Sequence, residues 1–135
     1  MFGIPVPPGR RALPRLPASI LLLSILASGC SQSIASVPKT AVRVRIAGGS
    51  YRSGQFTPSR LTVRAGQTVA WLNETKTQHT VTPEQFYKDW SDGGSGAISP
   101  GSAYVHRFKR PGFYRYFCSF HPEMVGIVIV TSAKR

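Results

Sequence analysis

The chain has 135 residues, of which 17 are Lys or Arg and five are Asp or Glu, so its formal net charge is +12. This length allows one domain of ordinary size and excludes a multidomain enzyme, and an apolar content of 41% argues against a disordered chain. Two cysteines in total exclude a disulfide-dense scaffold and a four-cysteine zinc site.

The first 29 residues have the pattern of an export signal. Three arginines, the last of them Arg15, precede an apolar run over 18–27, and small residues follow it. The run is much shorter than the ~20 residues that a membrane-spanning helix requires, so we expect no retained span. Its end, Leu26-Ala27-Ser28-Gly29-Cys30, resembles a bacterial lipobox. That resemblance implies that Cys30 is lipidated and becomes the first residue of the mature protein; ordinary cleavage nearby is the alternative.

A short tether is expected between the signal and the folded domain. Residues 30–40 are rich in Ser and contain Pro38, a composition typical of a flexible linker. We therefore divide the chain into a lipoprotein-type signal peptide at 1–29, the lipidated Cys30 with its tether at 30–40, and a folded domain at 41–135. Export by the general route is expected, although Arg10-Arg11 also resembles a twin-arginine signal.

The folded domain has the period-two hydrophobicity of short β-strands. Val42, Val44 and Ile46 alternate with arginines, which predicts a strand with one buried face. Further strands are predicted, in chain order, within 56–63 and at 68–73, 79–82, 104–108, 114–118 and 125–131, with Gly and Pro between them. A turn of helix can be accommodated at 83–90, and 92–101 is expected to be a loop without an assigned role. Seven to eight such strands predict an all-β, Greek-key sandwich.

Three metal-binding side chains follow one another at three-residue intervals. Cys118, His121 and Met124 offer a thiolate, an imidazole and a thioether where a strand gives way to a loop. His79, which follows the strand at 68–73, can supply a second imidazole. Two His, one Cys and a distant Met are the ligand set of a blue-copper centre. Zinc also binds such donors, but it has no redox chemistry and no need of a weak axial sulfur, so copper is the expected metal.

These residues and the strands around them resemble the small cupredoxins of the plastocyanin and amicyanin type over 41–130. The matching segments are Phe56-Thr57-Pro58, Leu61-Thr62-Val63, Ala65-Gly66-Gln67-Thr68-Val69, Trp71-Leu72-Asn73, His79-Thr80-Val81-Thr82, Pro111-Gly112-Phe113-Tyr114-Arg115-Tyr116-Phe117-Cys118 and His121-Pro122-Glu123-Met124-Val125-Gly126. The resemblance implies that His79, Cys118 and His121 are the equatorial copper ligands and Met124 the axial one. Thr80 stands where classical members have Asn, and its hydroxyl is expected to tie the two ligand segments together in a similar way.

The leading functional hypothesis is a membrane-tethered one-electron carrier that holds one type 1 copper ion and is not an enzyme. The runner-up is a protein that buffers or delivers Cu(I) in the cell envelope. A copper nitrite reductase needs more histidines than the three present. We expect a monomer, lipid-anchored on the periplasmic or extracytoplasmic side, that binds no nucleic acid despite its charge.

The charged and apolar residues around the predicted turns indicate which kinds of partner surface the protein would bind. Arg107, Lys109, Arg110 and Arg115 lie around the predicted turn at 111–112, which favours an acidic redox partner or anionic lipid headgroups. Phe120 and Pro122 flank His121 and are expected to form an apolar contact surface. His106 is interpreted as a packed or surface histidine.

Overall fold

The computed structural model describes residues 32–48 and 54–133. The predicted signal peptide and the candidate lipidation residue Cys30 lie outside this part of the chain. Within the part described, no helix is both long enough and apolar enough to cross a membrane.

Nine strands in the described residues form two sheets that pack as a sandwich. They are β1 (Gln32–Ser33), β2 (Val42–Ala47), β3 (Gln55–Thr57), β4 (Arg60–Arg64), β5 (Thr68–Asn73), β6 (Thr82–Pro83), β7 (Ser102–Arg107), β8 (Gly112–Cys118) and β9 (His121–Thr131). One sheet has the order β1-β7-β5-β2-β3 and the other has the order β4-β9-β8-β6. The strand pairs β2–β5 and β4–β9 are parallel, which requires crossover connections. The predicted all-β sandwich is confirmed.

The two ends of the sandwich differ in what they carry. We define the upper end as the one where β5 finishes at Asn73 and β8 finishes at Cys118, and where β7 and β9 start. The lower end carries the β7–β8 connection around Pro111. The seven residues of β8 separate the two ends by about 20 Å. Because His79 follows β5 and His121 follows β8, the predicted ligands belong to the upper end.

The core between the sheets is built from the inward-facing residues of the alternating pattern. Val44 and Ile46 on β2 are fully buried, and the arginines between them are exposed. Trp71 on β5 lies at the centre of the core, with Trp90 stacked on it at 5.7 Å and Tyr116 edge-on at 5.5 Å between ring centroids. These large rings fill the space between the sheets and connect the core to β8, the strand that ends at Cys118.

Residues 32–40 were predicted to be part of a flexible tether, but in the structure they form a short strand and a turn that pack on the sandwich. Gln32–Ser33 forms β1, which pairs antiparallel with the start of β7. The chain then makes a single 3-10 turn, and Val37, only 6% exposed, packs with Leu72 and Ala103 in a second small cluster. The physical reason is burial: β5 and β7 present apolar residues on their outer face, and this segment covers them.

Three details of the predicted strand pattern also differ. The described residues form nine strands instead of seven to eight, because β1 is additional. The strand expected at 79–82 is reduced to β6, and His79 lies on an isolated β-bridge. Residues 83–90 contain no helix; Tyr87 and Trp90 form a second isolated bridge. The Trp90 side chain is 1% exposed, so its burial in the core decides the path of this segment.

Candidate metal centre

Three of the predicted ligands meet at the upper end of the sandwich. The candidate ligand atoms of His79, Cys118 and His121 all lie within 4.8 Å of one another. Cys118 Sγ is 3.7 Å from Nδ1 of His79 and 3.6 Å from Nδ1 of His121. The centroids of the two imidazole rings are 4.8 Å apart. The fold thus brings together side chains that lie on two separate connections.

The end of β8 and its turn place two of these side chains. Alternation along β8 buries Tyr116 and Cys118 on the inner face. The turn at Ser119-Phe120 then leads directly into β9 at His121. The β8–β9 ladder is irregular after Phe117, so that Cys118 pairs directly with His121. Such irregularities commonly re-aim side chains at functional sites.

His79 is held by the loop for which the sequence indicated no role. The N–H of His79 donates to the carbonyl of Ile98 at 3.2 Å, and the N–H of Ile98 donates back to the carbonyl of His79 at 2.7 Å. Ser95 continues this pairing: its N–H donates to the Val81 carbonyl at 3.0 Å, and its Oγ accepts the Val81 N–H at 2.8 Å. The segment 92–101 therefore acts like an edge strand that fixes the backbone of His79.

Thr80 ties the two ligand segments together, as its position led us to expect. Its Oγ1 accepts the N–H of Ser119 at 2.7 Å, and its own N–H donates to Cys118 Sγ at 3.3 Å. Its hydroxyl also lies 2.9 Å from that of Thr82. Hydrogen bonds to a ligand sulfur stabilise negative charge on it and fix its orientation. The connection carrying His79 and the turn after Cys118 are thereby coupled.

Met124 joins the site from β9, and Gly54 leaves the space for it. Met124 is 2% exposed. A Cβ atom added to Gly54 would lie 2.7 Å from His79 Cε1 and 2.7 Å from Met124 Sδ. The thioether sulfur and the His79 ring therefore lie side by side where the backbone of Gly54 approaches them. A side chain at residue 54 would have to displace one or both.

The site is closed on one side and open on the other. Cys118 is fully buried and His79 is 1% exposed, whereas His121 is half-buried. Burial lowers the pKa of His79, and the neighbouring His121 lowers it further, which favours the neutral imidazole that binds metals. Phe120 and Pro122, which flank His121 in the chain, are both exposed. The more open ligand is thus bordered by apolar surface.

This donor set fits a copper ion. The sulfur of Cys118 lies 3.6 and 3.7 Å from the two imidazole nitrogens, near enough for one ion with typical bonds of about 2.3 Å to sulfur and about 2.0 Å to nitrogen to be held by them. Two imidazoles and a thiolate with a nearby thioether are the ligand set of type 1 copper. A zinc site has no need of the buried thioether of Met124.

The fold and the donor set define a small β-sandwich copper protein, and comparison with known proteins agrees. Residues 42–131 match the family of copper binding proteins described as plastocyanin/azurin, and the chain belongs to this family.

Individual members of the family are similar over most of the chain. The chain is 26% identical over 113 residues to amicyanin-alpha of Methylorubrum extorquens, covering 84% of this chain and 91% of that protein. It is 35% identical over 96 residues to amicyanin of Paracoccus versutus, covering 71% and 69%. The crystal structure of the Paracoccus versutus protein matches with a TM-score of 0.62 at 31% identity, covering 78% of this chain and 94% of that one. The predicted cupredoxin fold and copper cofactor are confirmed.

Several residues at this site were not predicted from the sequence. Asn73, Thr75 and Thr77 lie in hydrogen-bond contact with one another or with His79, and Gly54 packs against two of the candidate ligands. A signal for the first group exists, because these polar residues occupy alternate positions that lead up to His79. Gly54 has no comparable signal.

His106 lies away from these ligands, as interpreted from the sequence. Its ring stacks on Trp90 at 5.2 Å between centroids, and its Nε2 lies 2.9 Å from the carbonyl oxygen of Asp89. The ring is half-buried. These contacts belong to a packed histidine.

Proposed function

We propose that this protein, as a monomer, carries single electrons through one copper ion held by His79, Cys118 and His121, with Met124 as the axial ligand. The observation that carries the proposal is the convergence of Cys118 Sγ on two imidazole nitrogens at 3.6 and 3.7 Å. Copper supplies the one-electron chemistry when bound. The chain supplies a fixed set of ligands, so that little rearrangement accompanies a change of oxidation state.

A carrier function is supported by what surrounds the ligands. The bridge from Ile98, the Thr80–Ser119 hydrogen bond and the approach of Gly54 restrain the buried side of the site. On the other side, the half-buried His121 lies in a surface that a redox partner can touch. A redox partner that touches this surface would need only a small, weak interface, which suits transient electron exchange. We therefore propose a carrier and not an enzyme.

Spectroscopy of the mature protein reconstituted with Cu(II) tests this function. We expect an intense thiolate-to-copper absorption band and narrow copper hyperfine splitting in EPR, both recovered after a cycle of reduction and reoxidation. Cys118→Ala should abolish the band, and His106→Gln, which changes a histidine outside the site, should retain it. A colourless protein that binds Cu(I) and passes it to a chelator would contradict the carrier function and favour copper delivery.

We also propose that the protein is exported and anchored by a lipid on Cys30. The lipobox-like sequence supports this, and the position of β1 gives it a structural consequence. Gln32 pairs with Ala103 at the upper end of the sandwich, and two residues of chain span at most about 7 Å. An anchor on Cys30 would therefore attach within about 7 Å of the strand pairing, without a long spacer between the lipid and the sandwich. Mass spectrometry should find the lipid, and Cys30→Ser should move the protein to the soluble fraction.

An acidic redox partner is proposed from the distribution of charge. Arg107, Lys109 and Arg110 are exposed at the lower end, whereas Arg115 is engaged by Glu84 in an ion pair of 3.0 Å. Arg115 therefore contributes less than the other three to an open positive surface. The excess positive charge of the chain should steer a negatively charged partner. We expect the bimolecular electron-transfer rate with such a partner to fall as ionic strength rises, and a rate independent of salt would contradict it.

A further inference from the structure

The imidazole of His79 is held through the nitrogen that faces away from the other ligands. Its Nδ1 lies 3.7 Å from Cys118 Sγ, whereas its Nε2 lies 3.0 Å from Thr75 Oγ1 and 3.1 Å from Thr77 Oγ1. The ring is 1% exposed, so these hydroxyls take the place of water at Nε2. We propose that Thr75 and Thr77 are positioning residues that fix the ring orientation and the tautomer of His79 for metal binding through Nδ1.

The direction of the hydrogen bonds is set by the fully buried Asn73. Its Nδ2 donates to the carbonyl oxygens of Thr77 and Ile98, both at 2.8 Å. Because these partners can only accept, the amide has one orientation, with Oδ1 towards Thr75. Oδ1 accepts the Thr75 N–H at 3.0 Å and the Thr75 hydroxyl at 2.7 Å. Both donors and both acceptor positions of the amide are therefore used.

The Thr75 hydroxyl is best placed to donate its proton away from His79. It carries one proton, and its acceptors are Asn73 Oδ1 and, at 3.1 Å, the Thr77 carbonyl oxygen. With that proton on Asn73 Oδ1, the shortest of these contacts at 2.7 Å, the hydroxyl accepts from His79, which places a proton on Nε2 and leaves the lone pair on Nδ1. The opposite tautomer would set two lone pairs against each other at 3.0 Å unless the Thr75 hydroxyl gave up its hydrogen bond to Asn73. The threonine therefore selects the form whose lone pair lies on the nitrogen nearer Cys118 Sγ.

This selection matters for copper because a histidine ligand binds as a neutral imidazole through an unprotonated nitrogen. Removing the group that hydrogen-bonds the opposite nitrogen of a metal-bound histidine typically lowers metal affinity by about 10–100-fold. The inference rests on the proposed copper site, of which His79 is one ligand. It goes beyond that proposal in assigning Thr75 and Thr77 a role in preparing the ligand before the metal arrives.

Valine substitutions at the two threonines test the proposal, since valine keeps the shape and removes the hydroxyl. We would compare Thr75→Val, Thr77→Val and the double variant with Thr75→Ser, which keeps a hydroxyl, and with Thr62→Val, which changes an exposed threonine on β4. The readouts are the His79 ring N–H in ¹⁵N NMR of the copper-free protein and copper affinity by chelator competition. We expect Thr75→Val to lose the slowly exchanging Nε2–H signal and about 10-fold in affinity. Thr75→Ser should recover both, and Thr62→Val should change neither.

The outcomes separate this role from the copper site itself. A wild-type protein without a blue copper centre would overturn the proposed function, whereas the tautomer of His79 would still be decided by NMR. A double variant with the wild-type Nε2–H signal and copper affinity would overturn the positioning role, and so would a loss of stability without any change in affinity. Should Thr75→Val fail to fold, the wild-type protein decides, because a proton found on Nδ1 of His79 in the copper-free protein would overturn the selection by Thr75. An unchanged Nε2–H signal and affinity in Thr77→Val would overturn the role of Thr77.

Discussion

Replacing Gly54 by alanine would place a methyl group against two of the proposed ligands. The new Cβ would lie 2.7 Å from His79 Cε1 and from Met124 Sδ, whereas favourable contacts between such atoms need about 3.5–4.0 Å. At least one ligand must therefore move by roughly 0.8 Å. Overpacking of this kind costs about 1–3 kcal/mol. The thioether is the more flexible neighbour, so we expect the strain to weaken the axial contact and to raise the reduction potential.

The size of this shift follows from the strain. For a one-electron couple each kcal/mol that differs between the two oxidation states corresponds to about 40 mV, so Gly54→Ala should raise the potential by at most about 120 mV in a potentiometric titration. Gly112→Ala is the matched control: it adds the same methyl at the lower end, where its Cβ would meet Tyr114 Cε2 at 3.3 Å, and neither glycine has a positive φ. A wild-type potential in Gly54→Ala, or an equal shift in Gly112→Ala, would refute this reasoning.

Three further predictions concern the axial ligand, the core and a packed histidine. Met124→Leu should keep a coloured copper centre and raise its potential by roughly 60–120 mV, since Cu(I) gains about 10–100-fold in relative stability; a colourless variant would contradict axial ligation. Tyr116→Phe should change the melting temperature by no more than a few degrees, because the buried Tyr116 hydroxyl has no well-formed hydrogen bond in the described residues and Trp71 is its polar neighbour; a clear drop would mean that it is bonded. Burial lowers the pKa of His106, so the unfolded chain, where histidine titrates near pH ~6.5, binds its proton more readily. The free energy of unfolding of the copper-free protein should therefore fall as pH drops through ~6.5 and level off below the folded-state pKa. His106→Gln should reduce that slope in urea titrations and leave the part due to the buried His79, and an identical slope would contradict this cause.

The sequence was sufficient for the parts of the site that depend on local spacing. Cys118, His121 and Met124 lie within one turn and the start of one strand, so the chain itself keeps them close. His79 could be added to this ligand set because it follows the strand at 68–73, which the sequence pattern predicted. The same alternation predicted the sandwich, since period-two burial depends on neighbouring residues alone. The alternation did not predict β1, because a strand of two residues is too short to show a period-two pattern.

The remaining features depend on which distant segments touch. Gly54 acts through the space that it leaves beside His79 and Met124, and a missing side chain carries no chemical signature in a sequence. The segment 92–101 looks like a glycine-rich loop, yet Ile98 within it pairs with His79. Loops of this composition are normally read as connections. Their contacts appear only when the sheet order is known.

The two histidines show most clearly what the fold adds to the ligand motif. In the sequence His79 and His121 are equivalent donors. In the structure His79 is restrained through its backbone by Ile98 and through its ring by Thr75 and Thr77, while His121 lies half-buried at the exposed surface. An electron carrier needs both properties: ligands that stay in place when the charge changes, and one ligand that a partner can approach. The division of these tasks between the two imidazoles follows from where β5 and β8 end, because the connection after β5 is covered by a strand-like segment and the turn after β8 is not.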